Sequence, residues 1–191
     1  MNIVELSHKV VSDYVGSVEY AVDATLGGGR DALFAASLLR AGGKVFGFDV
    51  QRVAVERSRA LFEKNGLSSR AEFFEASHAD MKKLLPRETF GKIGCFFFNL
   101  GWLPDSDKSV ITRAESTLEA IGAAVELASA ECCALAVLCY KAHEGGMDEF
   151  LRVEKFFETS ALDFTRHTDV SNKFSPELFF VKIGKKRKKS V

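Results

Sequence analysis

Tyr20-Ala-Val-Asp-Ala-Thr-Leu-Gly-Gly-Gly-Arg-Asp31 decides the fold. It opens as a β-type run over 20–26, passes through Gly27, Gly28 and Gly29, and enters a helical pattern carrying Leu33, Phe34, Leu38 and Leu39. A strand, a glycine turn and a helix in that order form the first unit of a nucleotide-binding α/β sheet. Glycines let the backbone turn tightly and approach a ligand that a Cβ would push away. The helix that follows aims its free N–H groups and positive dipole end at the same place.

Two acids narrow the ligand. Asp23 lies within the strand, where its carboxylate repels a dinucleotide pyrophosphate but attracts a sulfonium amino acid with a free ammonium. The next strand, Lys44-Val-Phe-Gly-Phe-Asp49, closes on an acid 22 positions after Gly27, the spacing of a carboxylate that binds ribose hydroxyls. Asp23, the glycine turn and Asp49 together fit S-adenosylmethionine (SAM) better than NAD. The plainer alternative is a glycine turn that binds no nucleotide.

Working outward, the 191 residues suffice for one α/β domain with a buried core. The hydrophobic share of 47% and charged share of 27% are those of an ordinary globular protein. No run approaches the ~20 apolar residues of a membrane span. Met1-Asn-Ile-Val-Glu-Leu lacks the basic start and apolar core of a signal peptide, so a cytoplasmic location is expected. Four cysteines form no Cys-x-x-Cys and no paired framework, and the four histidines do not fall at ligand spacing from them. Buried free thiols and no metal are expected. Net charge is zero but uneven: residues 182–191 hold six basic residues and no acid, and the remaining 20 basic residues face 26 acidic ones. A single domain over 1–184 with a basic tail over 185–191 is the expected organisation. The tail is either a phosphate-attracting arm or a solvated end.

In chain order, residues 2–15 place Ile3, Leu6, Val10, Val11 and Tyr14 at helical spacing. A helix over 30–41 is expected to stop at Gly42-Gly43, followed by strand 44–50 and helix 51–64. Strand 71–76 runs into the polar cluster Ser77-His78-Ala79-Asp80, with a short helix over 79–85. Ile93-Gly-Cys-Phe-Phe-Phe98 is apolar on both faces, as a central parallel strand is, and exits into Asn99-Leu-Gly-Trp-Leu-Pro104. A helix over 113–129, a strand over 134–140 and a helix over 147–158 follow. The runs 163–170 and 178–183 are joined too closely for a βαβ unit, so they read as an antiparallel hairpin. A Rossmann-like, mostly parallel sheet ending in an antiparallel hairpin is the layout of class I SAM-dependent methyltransferases.

Six stretches occur in register: Asp-Ala-Thr-Leu-Gly-Gly-Gly-Arg-Asp (23–31), Val-Phe-Gly-Phe-Asp-Val-Gln (45–51), Ala-Ser-His-Ala-Asp-Met (76–81), Asn-Leu-Gly-Trp-Leu-Pro (99–104), Asp-Lys-Ser (107–109) and His-Glu-Gly-Gly (143–146). Together they resemble the bacterial YtqB-like methyltransferases, a family labelled as rRNA methylases and also called MnmM. That resemblance implies N-methylation of the 5-aminomethyl group of 2-thiouridine at the tRNA wobble position. The chain departs from the family pattern at Gly28, Arg30 and Ala32 in the turn, at Trp102 where Tyr is common, and at Ala142 before the histidine.

On this reading, Asp23 reaches the methionine ammonium, while Gly27 and Gly29 lie against the amino acid. Thr25 and Asp31, within and after the turn, complete the cofactor set. Asp49 accepts from the ribose, Gln51 reaches the adenosine, and Ser77 and His78 sit at the adenine edge. The plainer reading of His78 is a satisfied surface histidine. Asn99, Trp102 and His143 are the catalytic candidates: an aromatic face to stack the target base and polar groups to fix the acceptor. Against this, Trp102 is a core side chain and His143 a helix cap. Lys108 and Arg113 are phosphate contacts or a solvated face. No cysteine lies in a polar loop, so the covalent scheme of pyrimidine C5 methyltransferases is excluded.

The expected function is therefore SAM-dependent RNA methylation, with tRNA as partner and a homodimer among the open assembly states. An rRNA or small-amine methyltransferase, a nucleotide- or RNA-binding module without turnover, and a NAD-dependent oxidoreductase are the competing classes. Asp23 and the terminal hairpin argue against the last.

Overall fold

The computed structural model describes residues 1–101, 111–168, 172 and 174–185. The helices are α1 (Ile3–Val15), α2 (Arg30–Ser37), α3 (Arg52–Lys64), α4 (Met81–Leu84), α5 (Ala114–Leu127) and α6 (Gly146–Thr159). The strands are β1 (Val18–Asp23), β2 (Leu39–Asp49), β3 (Ala71–Glu75), β4 (Ile93–Leu100), β5 (Cys132–Cys139), β6 (Asp163–Thr168) and β7 (Glu177–Gly184). They form one seven-stranded sheet in the order β3-β2-β1-β4-β5-β7-β6. The first five strands run parallel, while β7 is antiparallel to β5 and β6 to β7. The expected fold class is what the chain adopts.

Strand order reverses between β1 and β4, and the chain leaves these neighbours in opposite directions. Such a switch point opens a crevice at the carboxyl ends of the strands. The central strands β4 and β5 are apolar on both faces. All eight residues of β5 are buried, as are seven of the eight in β4, with Asn99 the exception. One core packs α1, α2 and α3 on one face through Val11, Val15, Ala32, Val55 and Phe62. The other packs α4, α5 and α6 through Met81, Ile121, Phe150 and Phe157.

Several boundaries depart from expectation, and the run expected as a strand over 20–26 is β1 only as far as Asp23. The helix expected to reach residue 41 stops at Ser37, and Gly42-Gly43 belong to β2. Val18 pairs with Leu39 and Tyr20 with Lys44, so 40–43 bulge out of the ladder. Gly42 takes φ +76°, and a Cβ on Gly43 would lie 2.5 Å from the Glu19 carbonyl oxygen. A bulge and a helix cap both call on glycine with positive φ, and the bulge has it here. At the other edge, β4 runs two residues past Phe98 and carries Asn99 within the ladder, paired with Leu138. Cys132 and Cys133 likewise open β5 rather than precede it. The basic tail lies outside the described residues beyond Lys185.

Candidate active site

β1 ends on Asp23, which is 1% exposed. Its carboxylate accepts the Thr25 N–H at 3.2 Å and the Ala32 N–H, from the first turn of α2, at 2.9 Å. The glycine turn thus folds around Asp23. Gly27 (φ +50°) and Gly29 (φ +74°) take conformations that side chains resist. A Cβ on Gly29 would also lie 2.7 Å from Ser58 Oγ, whereas one on Gly28 would meet nothing within 4 Å. The turn is therefore backed by α3 and open on its outer side.

Asp49, at the end of β2, braces the turn from the neighbouring strand. It accepts the Gly27 N–H and the Gln51 N–H, each at 2.9 Å. A carboxylate has about four acceptor sites, so both acids keep capacity for a ligand. Burial pushes the Asp23 carboxyl well above the ordinary aspartate range. The neighbouring Asp31 pushes the same way, and the two N–H bonds oppose. Burial also raises Asp49, against the bonds from Gln51 and Gly27. No cation pairs with Asp23 among the described residues.

Asp31, in the first turn of α2, is buried and engaged on both oxygens. His8 Nε2 lies 2.6 Å from one, and the other accepts from the Asn99 side-chain amide. The Asn99 backbone N–H donates to Thr25 Oγ1 at 2.6 Å. Thr25, Asp31 and Asn99 thereby lock the end of β4 to the glycine turn across the switch point.

His78 is 8% exposed, not a surface histidine. Its Nδ1 lies 3.1 Å from the Ala24 carbonyl oxygen, which only accepts, so Nδ1 carries the proton. Burial lowers its pKa against that hydrogen bond, which keeps the ring neutral at pH 7. Ser77 caps the short helical turn over 78–80 by accepting the Ala79 N–H at 3.2 Å.

At the exit of β5, the Tyr140 N–H donates to the Leu100 carbonyl at 3.0 Å. His143 turns its Nδ1 to the Glu144 carbonyl at 2.9 Å and packs its ring on Gly146, where a Cβ would come within 2.7 Å of Nε2. A Cβ on Gly101 would lie 3.8 Å from the same nitrogen, so the exits of β4 and β5 meet at this ring. Thr112 donates its N–H to the Gly101 carbonyl at 3.1 Å and its hydroxyl to Glu149 at 2.7 Å. Trp102 and Lys108 lie outside the described residues, while Arg113 is exposed at the start of α5.

The turn, both bracing acids, Thr25, Asp31 and Asn99 are thus brought into one bonded cluster, with His78 joined through Ala24 and His143 at the neighbouring exit. Sequence reasoning missed His8 and Tyr140. His8 falls three and seven residues before Val11 and Val15, on the packed side of α1, and a polar residue there was the available signal. Tyr140 lies against Gly101, where an added Cβ would come 3.5 Å from the Tyr140 Cβ, and burial and the Asp31 charge raise its phenol. All four cysteines are buried, and burial pushes Cys95 up to about 12 and raises Cys133 and Cys139 as well. Among the described residues no cluster of three or more His, Cys, Asp or Glu could hold a metal ion, and no helix is long and apolar enough to cross a membrane.

Residues 45–180 match the family model described as "Putative rRNA methylase". The chloroplastic tRNA (mnm(5)s(2)U34)-methyltransferase of Arabidopsis thaliana is 29% identical over 160 residues, 80% of this chain, and the chain spans only 57% of that relative's length. Among solved structures, a protein of the same description from Clostridium thermocellum is 29% identical with a TM-score of 0.88, covering 96% of this chain and 98% of its own. SMU.1697c of Streptococcus mutans, solved in complex with SAH, is 27% identical with a TM-score of 0.83, covering 95% and 98%.

Proposed function

The chain belongs to the rRNA methylase family and is a methyltransferase that uses SAM, and from that premise we propose that its acceptor is the 5-aminomethyl nitrogen of wobble uridine in tRNA. The cofactor half is carried by Asp23, a buried carboxylate with no cationic partner among the described residues, set under a glycine turn whose outer side is open. That chemistry suits an amino acid ammonium. Asp23 would hold the ammonium, Asp49 the ribose hydroxyls, and Gly27 and Gly29 would leave the turn clear for the amino acid part. Gln51, Ser77 and neutral His78 would bound the adenosine. When bound, SAM supplies a methyl activated on a cationic sulfur.

The acceptor half is supported by the named activity of the Arabidopsis relative. Asn99 would take an N–H of the acceptor amine on its amide carbonyl, which leaves the nitrogen lone pair for attack. The amine must be neutral to react, and the buried surroundings of the cluster favour its neutral form. Trp102 would stack the swung-out base, and His143 would face the amine from the neighbouring strand exit. A cytoplasmic site of action, a single catalytic domain over 1–184 and a basic tail over 185–191 belong to the same reading.

The test incubates the protein and labelled SAM with tRNA bearing the aminomethyl intermediate. Digestion should yield the methylaminomethyl nucleoside. The family's description favours ribosomal RNA as the second reading. Label on rRNA with the tRNA unmodified would replace the wobble assignment by that one.

A further inference from the structure

We propose that His8, on α1, is a positioning residue for methyl transfer: acting through Asp31, it fixes the Asn99 side-chain amide with its NH2 turned inward and its carbonyl oxygen turned to the acceptor. The proposal rests on the methyltransferase reading above, with Asn99 beside the acceptor amine.

The argument begins at Asp31. An ionised carboxylate only accepts hydrogen bonds, so each neighbour facing it must present a donor. Asn99 presents its Nδ2 to one oxygen. Its Oδ1 must then point the other way, out of the bonded cluster. The Asn99 main chain has no freedom to undo this, because its N–H is held 2.6 Å from Thr25 Oγ1 and the residue is paired within β4. With the main chain held and the NH2 turned to Asp31, Oδ1 is the acceptor left to meet a substrate. An amide carbonyl accepts from an amine N–H. It does nothing for a ring carbon.

His8 makes the orientation unique. Its Nε2 lies 2.6 Å from the second Asp31 oxygen, and the carboxylate selects the form in which Nε2 carries hydrogen. The ring cannot swing away. It lies flat on Phe34 at 3.9 Å with planes 2° apart, and it meets Phe97 edge-on at 5.8 Å. Two aromatic walls therefore fix the direction of one N–H, and that N–H fixes the carboxylate plane. Without it, Asp31 is anchored on one side only and can rotate about its χ2, taking the amide with it. A rotated amide offers NH2 to an amine, donor against donor.

Phe34 and Phe97 also allow the test to separate ring packing from hydrogen bonding. His8→Phe keeps an aromatic ring on Phe34 and removes the donor. His8→Gln loses the ring and places an amide N–H near the former Nε2. In the full chain, kcat for the aminomethyl tRNA should fall about tenfold in His8→Phe, the scale of one lost hydrogen bond to a charged group. The KM for tRNA and the SAM dissociation constant should stay at wild-type values, and the melting temperature should fall by only a few degrees, leaving the chain folded at assay temperature. His8→Gln should restore kcat to within about threefold. A signature independent of any substrate is the Asn99 side-chain 15N–1H pair. In the wild type it should be shifted and slow to exchange; in His8→Phe it should move and broaden, and in His8→Gln it should return.

The relay is overturned if the Asn99 pair is unmoved by His8→Phe, if the kcat loss is accounted for by unfolding at assay temperature or by lost SAM affinity, or if Gln rescues no better than Phe. A wild type that methylates neither tRNA nor rRNA refutes the underlying functional reading, and with it the catalytic role of His8. The Asn99 resonance then tells that failure apart from a relay that never forms.

Discussion

Two buried carboxylates on one sheet are satisfied in opposite ways. Glu177 opens β7 and is 2% exposed; Asp23 closes β1 and is 1% exposed. Glu177 is met by Lys141 Nζ at 2.5 Å, by the Arg166 guanidinium and by the Thr168 hydroxyl at 3.0 Å. Lys141 and Arg166 also lie over the Phe150 ring at 4.8 and 5.3 Å, so this ion cluster is sealed on its apolar side. Burial pushes Glu177 up, but the bonds from Arg166, Lys141 and Thr168 outweigh it and hold the carboxyl below its usual value. Asp23 receives two backbone N–H groups and a like-charged neighbour, and its pKa rises. One acid is complete as folded. The other is set up for a cation that arrives with a ligand. The difference separates a structural carboxylate from a binding one where burial alone does not.

Neutralising each acid should break the comparison in opposite directions. Glu177→Gln leaves Lys141 buried without its counter-charge and should cost about 3–5 kcal/mol of folding stability, read by urea denaturation. A loss below about 1 kcal/mol would show that the cluster is dispensable. Asp23→Asn should leave the apo protein folded and weaken SAM binding by roughly ten- to hundredfold, about 1.5–3 kcal/mol, in calorimetry. Unchanged affinity would remove Asp23 from the ammonium. Asp49→Ala should lose affinity on the same scale through the ribose, with no NAD binding by the wild type.

Titration sharpens the contrast. Asp23 has its folded pKa raised above 3.8, so its native-state penalty is absent at low pH and grows as pH rises through the raised value. Glu177 has its folded pKa lowered below 4.5, so its stabilisation is present above that value and is lost as pH falls through the lowered one. A ligand ammonium favours ionised Asp23. SAM binding should therefore release a proton and weaken as pH falls through the raised Asp23 pKa. Calorimetry repeated down through the acidic range in buffers of different ionisation enthalpy reads that proton, and a buffer-independent enthalpy at every pH would speak against the contact. The smallest effect belongs to the tail. Removing residues 185–191 should reduce the salt dependence of tRNA binding by up to about five charges' worth of slope without changing SAM affinity. An unchanged salt slope would make the tail a solvated end.

The same pair marks what the sequence makes legible. Asp23 was readable because its meaning is local: strand, acid, glycines and helix follow one another within twelve residues. The central strands were readable because Phe96, Phe97 and Phe98 leave no polar face. Glu177 was not, since Lys141 stands 36 residues away and only the antiparallel closure of β7 on β5 brings them together. His8 was missed for the same reason, its partner Asp31 lying 23 residues along. Gly42-Gly43 was misread because positive φ serves a helix stop and a bulge alike. Trp102 and Lys108, both legible as candidates, lie where the structure describes no residues.

The four cysteines have a practical consequence. None of the four is in a disulfide, each is at most 2% exposed, and burial raises Cys95, Cys133 and Cys139. Thiol reagents act on exposed thiolates. The native chain should thus be silent to maleimide while folded. A single cysteine introduced at an exposed position, such as Leu151 on the outer side of α6, would take a fluorophore alone. The protein can then be tracked on RNA with its own thiols left in place.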